Sequence, residues 1–378
     1  MSDRFDLSDF LEPVDNSPLP SRDGYREGQL GMYVDAYEGE MPSLEQADIV
    51  LVGCGESRGD FGGGFDHAGP NAIRRQLYAL YHWHRHIRVA DLGNIREGSS
   101  LSDSYAALRT VVSEASGSGR KVVILGGSHD LTMAQYDVYR TKNRLVEATV
   151  VDAYIDLAID MPLKSRNFLM EMLTGDPNCI RHYNHIGFQS YLVHPNMLET
   201  MDKLRFDCHR LGRVKESIEE VEPALRNSHM VSFDMAAMQH ASAPVPAALP
   251  NGLSGEEACI LTGYCGSSTT LETFGIYGYD PSGDTHGLAA RQAAQMVWYF
   301  IDGMRRAMAE SSFEDPAGFI EYHTAFSEVE TVFLQSRRTG RWWMRMPDGS
   351  RIACTQRDYL LAGNNEIPER WLRAQERN

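Results

Sequence analysis

Between about Ala47 and Met308, short β-branched runs that end at Gly or Asp alternate with longer segments whose apolar residues recur every three or four positions. The first pattern is typical of buried strands and the second of amphipathic helices. Their alternation predicts an α/β fold with a mostly parallel sheet, in which ligands bind at the carboxyl ends of the strands. The predicted strands are 48–53, 88–92, 121–125, 148–152, 185–188, 207–211, 230–234 and 272–277. The predicted helices are 70–83, 102–115, 131–139, 197–204, 254–262 and 288–308.

The pattern changes on both sides of this region. Residues 1–45 are acidic, contain prolines and show weak periodicity, which predicts an arm with at most a short docking helix. Residues 46–310 are predicted to form the α/β domain, and residues 311–378 an appended module. The strands predicted in this module are 330–335, 342–345 and 351–355, joined by turns such as Pro347-Asp348-Gly349-Ser350.

The end of the chain has an unusual charge. Residues 337–378 contain nine arginines, no lysine and five acidic residues, whereas the whole chain has 36 Lys+Arg against 52 Asp+Glu. A basic, Trp-rich extension on an acidic body is predicted to dock on that body or on a neighbouring subunit. Binding of RNA or phosphate is the alternative.

The net charge of −16 repels phosphate backbones and anionic membrane surfaces, so neither nucleic acid nor a membrane is expected as a partner. No apolar run approaches the roughly 18 to 20 residues that a membrane span requires. The first residues are acidic and lack the apolar core of a secretory signal, which leads us to expect a cytoplasmic protein.

Three predicted strands end in residues that bind metals. If their loops converge, three carboxylates share one site, and a cation is needed to offset their repulsion. One histidine nitrogen with several carboxylate oxygens suits Mn²⁺ or a similar first-row dication better than a zinc structural site. The three segments are Leu125-Gly126-Gly127-Ser128-His129-Asp130, Val151-Asp152-Ala153-Tyr154-Ile155-Asp156 and Ser232-Phe233-Asp234.

In order and spacing, these segments resemble the three metal motifs of the ureohydrolase family, which includes arginase, agmatinase and formimidoylglutamase. The resemblance covers roughly residues 46–308. Further matches are Gly69-Pro70-Asn71-Ala72-Ile73-Arg74, Asp91-Leu92-Gly93 and Gly252-Leu253-Ser254-Gly255-Glu256-Glu257. The resemblance implies a three-layer α/β/α fold around an eight-stranded, mostly parallel sheet. It also implies two Mn²⁺ ions that share a hydroxide, which attacks a guanidino or amidino carbon.

The resemblance also assigns ligands. His129 and Asp156 match ligands of the first metal, and Asp152 and Asp234 match the carboxylates that bridge both metals. Tyr154 and Ala236 stand where the family has the private ligands of the second metal. One dication leaves three aspartates with a charge of −1, and a second would give +1 while having only ligands shared with the first, so one firmly bound Mn-like ion is expected. A Tyr154 phenolate, or recruitment of the nearby Asp130 or His240, could rebuild a second site.

Glu257 aligns with the family glutamate that meets the cationic amidine of the substrate. The same residue completes a Ser-x-x-Glu capping box, which is a sufficient structural explanation. The proton-shuttling histidine of the family has no evident counterpart, because the segment 165–169 places a leucine about where it would fall. The positive charges of Arg58 and Arg74 are compatible with an acidic substrate such as formimidoylglutamate.

These observations predict a metal-dependent hydrolase of a linear amidine or guanidine C–N bond, acting on a small molecule that resembles formimidoylglutamate, arginine or agmatine. Asp152 and Asp234 would orient the attacking water, and Glu257 would anchor the substrate. The competing hypothesis is a protein that keeps this fold but has lost much of the catalytic activity, with a binding, assembly or regulatory role. The resemblance also implies a homo-oligomer.

Overall fold

The computed structural model describes residues 6–15, 24–60, 62–158, 161–327 and 329–377. Its main sheet contains ten strands in this part of the chain, of which eight longer ones run parallel. Along the chain they are β1 (Leu11–Glu12), β2 (Asp35–Ala36), β3 (Ile49–Gly53), β4 (Val89–Ile95), β5 (Lys121–Leu125), β6 (Val146–Val151), β7 (Ile180–Phe188), β8 (Asp207–Arg210), β9 (Met230–Asp234) and β10 (Thr273–Tyr277). The order across the sheet is β1-β4-β3-β5-β10-β9-β6-β7-β8. The two-residue strands β1 and β2 both pair with β4, and β1 is antiparallel to it.

Helices cover both faces of this sheet, as the three-layer prediction requires. The helices connected to the main sheet are α1 (Ala68–Tyr78), α2 (Leu101–Ala115), α3 (Thr132–Arg140), α4 (Lys164–Thr174), α5 (Pro195–Lys203), α6 (Leu211–Glu216), α7 (Glu222–Asn227), α8 (Gly255–Ser267) and α9 (Leu288–Ala309). Helices α1, α6, α7, α8 and α9 contribute to the core on one face, and α2, α3, α4 and α5 to the core on the other. The predicted α/β/α fold is therefore confirmed.

The strand sequences explain why the sheet is buried on both sides. In β3, Ile49 and Leu51 belong to one core, and Val50 and Val52 belong to the other. All five residues of this strand are buried. A continuous apolar run of this kind, rich in β-branched residues, is typical of a parallel strand between two helical layers.

The strand order brings three predicted ligand segments to one edge. Strand β5 lies beside β10, β10 beside β9, and β9 beside β6. Tyr277 of β10 pairs with Asp234 of β9, and Val151 of β6 pairs with Phe233. Because these strands are parallel, the segments that follow β5, β6 and β9 leave the sheet at the same edge.

The predicted helix 70–83 extends too far in its last turn. Helix α1 ends at Tyr78, and the Trp83 side chain is 76% exposed. The chain turns here because residues 80–82 bond to the N-terminal region: Leu80 accepts a backbone hydrogen bond from Leu30, and His82 donates one to Gly28. A long-range backbone pairing therefore ends a helix whose own sequence pattern continues.

The predicted N-terminal arm is described only in part, since residues 1–5 and 16–23 lie outside the described residues. Leu7–Phe10 form a single 3₁₀ turn capped by Asp6, whose carboxylate accepts a hydrogen bond from the Ser8 amide. Leu11 is fully buried where β1 pairs with β4. This segment is attached to the main sheet through that strand pair.

After α9 the chain forms a second, antiparallel sheet, with the strand order β11-β12-β13-β14. A hydrophobic cluster that includes Phe333, Trp342 and Trp371 joins this sheet to the last two helices. The predicted strands in this region are present, whereas β11 and both helices were not predicted. The elements are β11 (Phe319–Phe326), β12 (Val329–Ser336), β13 (Trp342–Arg345), β14 (Arg351–Cys354), α10 (Gln356–Gly363) and α11 (Glu369–Arg377).

Arginines of the C-terminal segment contact the rest of the chain. Arg341 pairs with Glu310 at 2.7 Å, and its Nη1 donates to the Ser267 carbonyl at 2.7 Å. Arg373 Nε lies 3.3 Å from a carboxylate oxygen of Asp207, the first residue of the edge strand β8. These contacts join the basic segment to the acidic body of the same chain. Within the described residues, no helix is both long enough and apolar enough to cross a membrane.

Candidate metal centre

Four predicted ligands meet at the carboxyl edge of the main sheet. The Nδ1 atom of His129 lies 3.4 Å from Asp152 Oδ2, 3.3 Å from Asp156 Oδ2 and 3.2 Å from Asp234 Oδ2. Ligand atoms of His129, Asp152 and Asp234 lie within 4.8 Å of one another, and Asp156 borders this group. All four residues are buried, so their donor atoms converge away from bulk water.

The donor atoms of this cluster have little to bind within the protein. His129 Nδ1, both carboxylate oxygens of Asp152 and both of Asp156 have no hydrogen-bond partner in the part of the chain that the structure describes. Buried polar atoms are normally paired, and buried carboxylates without partners are costly. One nitrogen and several carboxylate oxygens form a hard donor set that fits a first-row dication such as Mn²⁺. The residues present therefore fit a single metal ion.

The histidine is oriented by a residue of another ligand segment. His129 Nε2 lies 3.0 Å from the hydroxyl of Ser232, which in turn lies 2.6 Å from the Thr132 hydroxyl. When Nε2 donates its proton to Ser232, Nδ1 has no proton, and its lone pair is available to an ion held among the carboxylates. A partner on the far nitrogen fixes the tautomer and the ring orientation of a ligating histidine.

Glycines let the backbone pass close to the cluster. Gly127 has a positive φ of 79°, which places His129 at the start of a 3₁₀ turn directly after β5. Gly278 also has a positive φ, 74°, and a Cβ there would lie only 2.1 Å from Asp234 Oδ1. A side chain at Gly278 would therefore displace the Asp234 carboxylate.

His185 is a supporting residue that the sequence analysis missed. It is fully buried on β7, its Nε2 lies 3.1 Å from the Asp152 carbonyl oxygen, and its Nδ1 lies 3.0 Å from the Tyr183 hydroxyl. Burial lowers the pKa of His185 to about 4, so the ring is neutral at pH 7 and can donate to that carbonyl. Its place at the start of the predicted strand 185–188 was the available signal.

Helix α4 packs against the cluster, and the sequence analysis did not predict this helix. Phe168 packs edge-on against His129, with 4.7 Å between ring centroids. The Leu169 amide donates to the Asp156 carbonyl at 3.2 Å. Arg166, in the first turn, stacks on Tyr154 with its guanidinium carbon 4.0 Å from the ring centroid, and its Nη1 lies 3.9 Å from Asp156 Oδ1. The repeat of buried residues at 165, 168, 169 and 172 could have revealed this helix.

The charged groups of the cluster shift one another. Burial, together with the charges of Asp234 and Asp156, raises the pKa of Asp152 to about 7. Burial opposes a charge on His129, but the neighbouring carboxylates outweigh it and raise its pKa well above the usual value. Burial also acts against ionisation of Asp234, yet His129 holds the pKa of this carboxyl below its ordinary value. A cation is the natural partner for such a group.

Comparison with known proteins identifies the family. Residues 47–302 match the model of the arginase family, which is more than half of the chain. The chain belongs to the arginase family. This match confirms the family that the motif resemblance indicated, and it supports the predicted enzyme class, a hydrolase of C–N bonds.

Similar relatives include two enzymes named formimidoylglutamase. The chain is 24% identical to a formimidoylglutamase of Klebsiella pneumoniae over 287 residues, which cover 68% of this chain and 85% of the relative. It is 26% identical to a formimidoylglutamase of Citrobacter koseri over 285 residues, which cover 70% of this chain and 88% of the relative.

Solved structures share the fold. A Trypanosoma cruzi formiminoglutamase with Mn²⁺ aligns with a TM-score of 0.62 and 19% identity, covering 69% of this chain and 95% of the other. The agmatine ureohydrolase of Thermoplasma volcanium aligns with a TM-score of 0.60 and 20% identity, covering 76% of this chain and 97% of the other. At these identities the structures establish the arginase fold.

Two alternative ligands suggested for a second metal lie in other settings. Asp130 is buried, but its carboxylate accepts a hydrogen bond from the Tyr105 hydroxyl and lies against Gly59 of the loop after β3. His240 is exposed on the segment after β9. Ala236 offers only a methyl group, and its amide donates to Asp234 Oδ1 at 2.9 Å. Neither Asp130 nor His240 belongs to the cluster of converging donors in the described residues.

Glu257 forms the capping box that its sequence context predicts. Its Oε2 accepts hydrogen bonds from the Ser254 amide at 2.7 Å and from Lys215 Nζ at 2.8 Å, and its amide donates to the Ser254 hydroxyl. Burial opposes ionisation, but Lys215 and the Ser254 contacts together lower the pKa of Glu257 below its ordinary value. The residue is thus an anion at neutral pH that already holds one cation.

The two arginines suggested for an acidic substrate are bound to carboxylates of the protein. Arg58 pairs with Glu56, and its Nη2 also donates to the Gly98 carbonyl at 2.9 Å. Arg74 is fully buried and forms a bidentate salt bridge with Asp91, with N–O distances of 2.7 and 2.9 Å. Both guanidinium groups therefore already have carboxylate partners within the protein.

Metal affinity should rise with pH. Asp152 must lose a proton from a group with a pKa of about 7, and His129 must also be neutral to bind an ion. Binding therefore releases protons, and we expect the Kd for Mn²⁺ to fall about tenfold or more between pH 6 and pH 7. Isothermal titration in two buffers of different ionisation enthalpy would measure both the Kd and the number of protons released. A Kd independent of pH would contradict this assignment.

Proposed function

We propose that this protein is a metal-dependent hydrolase of a linear amidine or guanidine C–N bond. It would bind one Mn-like ion through His129, Asp152, Asp156 and Asp234. The observation that carries the proposal is the buried set of converging donors without hydrogen-bond partners, at the carboxyl edge of an arginase-family sheet. The formimidoylglutamase relatives favour an amidine such as formimidoylglutamate as the substrate. Guanidines such as arginine and agmatine are the alternatives.

When bound, a dication supplies a water that ionises near neutral pH and a positive charge that stabilises the developing anion. The residues of this chain position that chemistry. His129 is held in one orientation by Ser232, and Asp152 is supported through its backbone by His185. The carboxylates of Asp152 and Asp234 face the same point and would orient the attacking water. Water adds to the amidino carbon, the C–N bond breaks, and the amine leaves with a proton.

Glu257 is proposed to hold the cationic head of the substrate. Since Lys215 occupies its Oε2 oxygen, an amidinium would have to share or replace this partner. Lys215 also donates to the Gly252 carbonyl at 3.0 Å, which gives the ammonium a second contact when the carboxylate turns to the substrate.

Glu257→Gln should separate the two roles of this residue. Glutamine can still accept the Ser254 amide hydrogen bond, so the capping box survives while the charge is removed. We expect KM to rise at least about tenfold with little change in thermal stability, since the electrostatic contact with a cation is lost. Steady-state kinetics would measure this, with Glu256→Gln in the same helix turn as the control. An unchanged KM in Glu257→Gln would limit Glu257 to capping.

A screen of substrates with added Mn²⁺ tests the proposed function. Hydrolysis of formimidoylglutamate releases formamide and glutamate, and hydrolysis of arginine or agmatine releases urea and an amine. Product from one of these substrates, dependent on Mn²⁺, is the expected result. A protein that binds the ion but yields no product would favour the competing binding or regulatory role, which the non-ligand residues Tyr154 and Ala236 suggest. The predicted cytoplasmic location and homo-oligomeric state remain predictions.

A further inference from the structure

Arg166 places a permanent positive charge beside the carboxylate cluster. Its Nη1 lies 3.9 Å from Asp156 Oδ1, and its guanidinium carbon lies 4.0 Å from the centre of the Tyr154 ring. The side chain is only 26% exposed. Burial works against its charge, but the carboxylates of Asp156, Asp152 and Asp234 outweigh it and raise the pKa of Arg166 above its ordinary value.

Several contacts hold Arg166 in place. The Ala158 amide donates to the Arg166 carbonyl at 3.1 Å, which ties the first turn of α4 to the segment that carries Asp156. Phe168 of the same helix packs on His129. Tyr154 lies between two ligands in the chain and presents its ring to the guanidinium, an arrangement typical of a cation–π contact. The arginine is therefore part of the framework of the cluster.

The charges of the cluster explain what this arginine does. Asp152, Asp156 and Asp234 carry three negative charges when ionised, and one dication leaves one of them uncompensated. The guanidinium supplies the missing positive charge. A second dication would give the group a net positive charge, and it would be repelled by both the first ion and Arg166.

We propose that Arg166 is the resident second cation of this centre, which restricts it to one divalent ion and balances the third carboxylate. The inference rests on the proposed function only in assuming that the cluster binds a divalent ion. It requires no particular substrate. Arg166 acts as a positioning and charge-balancing residue, because it faces the carboxylate ligands.

Mn²⁺ binding to the metal-free full-length chain tests this proposal independently of activity. Free Mn²⁺ is followed by its electron paramagnetic resonance signal during a titration, and bound metal is counted after equilibrium dialysis. The wild-type chain should bind one ion. Arg166→Gln should bind the first ion at least about tenfold more tightly than the wild type, since the competing charge is gone. It should also bind a second ion with lower affinity. Arg166→Lys keeps the charge and should retain one ion with an affinity close to the wild type.

Lys164→Gln provides the matched control, because Lys164 is a half-exposed cation in the same helix turn that pairs with Glu171 at 3.0 Å. It should leave both stoichiometry and Kd unchanged. One ion with the same Kd in wild type and Arg166→Gln would overturn the inference while leaving the proposed function intact, and so would a wild-type chain that binds two ions. A wild-type chain that binds no ion would overturn the inference and the proposed function together.

Discussion

Replacing Asp234 with asparagine should reduce Mn²⁺ affinity and catalytic turnover at least about a hundredfold each, a loss of about 2.7 kcal/mol or more. The reason lies in the two oxygens of this carboxylate. Oδ1 accepts the Ala236 amide hydrogen bond, and Oδ2 lies 3.2 Å from His129 Nδ1. In asparagine, the oxygen must stay on the Ala236 side to accept that bond. The amide NH₂ then faces the cluster, where it cannot bind a cation.

A matched control separates this effect from a general loss of charge. Asp137 on α3 is a partly buried carboxylate that pairs with Arg140 at 2.8 Å, outside the cluster. Asp137→Asn should retain wild-type Mn²⁺ affinity and turnover. Metal titration and steady-state kinetics on both variants, with circular dichroism to verify folding, measure the difference. If folded Asp234→Asn binds Mn²⁺ as tightly as the wild type, Asp234 is not a ligand.

The second large effect concerns the buried pair between α1 and β4. Arg74→Met should lower the free energy of unfolding by about 3–5 kcal/mol, because it leaves the Asp91 carboxylate buried without its cation. Arg74 also donates to the Asn94 side chain and to the Gly93 carbonyl, both at 2.6 Å. Through these contacts, the Gly69–Arg74 motif of α1 and the Asp91–Gly93 motif of β4 form one structural unit. Urea denaturation followed by tryptophan fluorescence measures the loss.

A double variant tests the cause of this loss. Asp91 also accepts hydrogen bonds from the Tyr78 hydroxyl at 2.7 Å and from the Gly93 amide at 2.9 Å. Asparagine at this position can retain an acceptor but carries no charge. Arg74→Met with Asp91→Asn should therefore be at least about 1 kcal/mol more stable than Arg74→Met alone. Additive losses from the two substitutions would contradict the buried-charge explanation.

The sequence predicted that the candidate ligands converge, because each of them lies at or just after the end of a strand with a strong local signal. Strand β5 contains three consecutive β-branched residues and is followed by Gly126 and Gly127, and β9 ends directly at Asp234. Parallel strands bring such ends together without any knowledge of the loops. The strand order places β5, β10, β9 and β6 side by side, which made the convergence predictable from the fold class.

Other parts of the site depend on long-range packing that a single sequence does not display. Helix α4 begins after Leu163 without a side-chain cap, so its start has no local signal. Arg166 and Phe168 were therefore not placed beside the cluster. Arg58 and Arg74 were considered for substrate binding because their partners are distant in the sequence. Arg58 donates to the Gly98 carbonyl, and Arg74 pairs with Asp91. Charge alone did not reveal that they were already paired.

The metal content of the full-length chain is the most direct test of the central claim. After removal of metals, loading with Mn²⁺ and dialysis into metal-free buffer, elemental analysis of the wild type should find one ion per chain, and Asp234→Asn should retain far less than one. A wild-type chain that retains no Mn²⁺ would contradict the metal centre and, with it, the proposed hydrolysis of an amidine or guanidine.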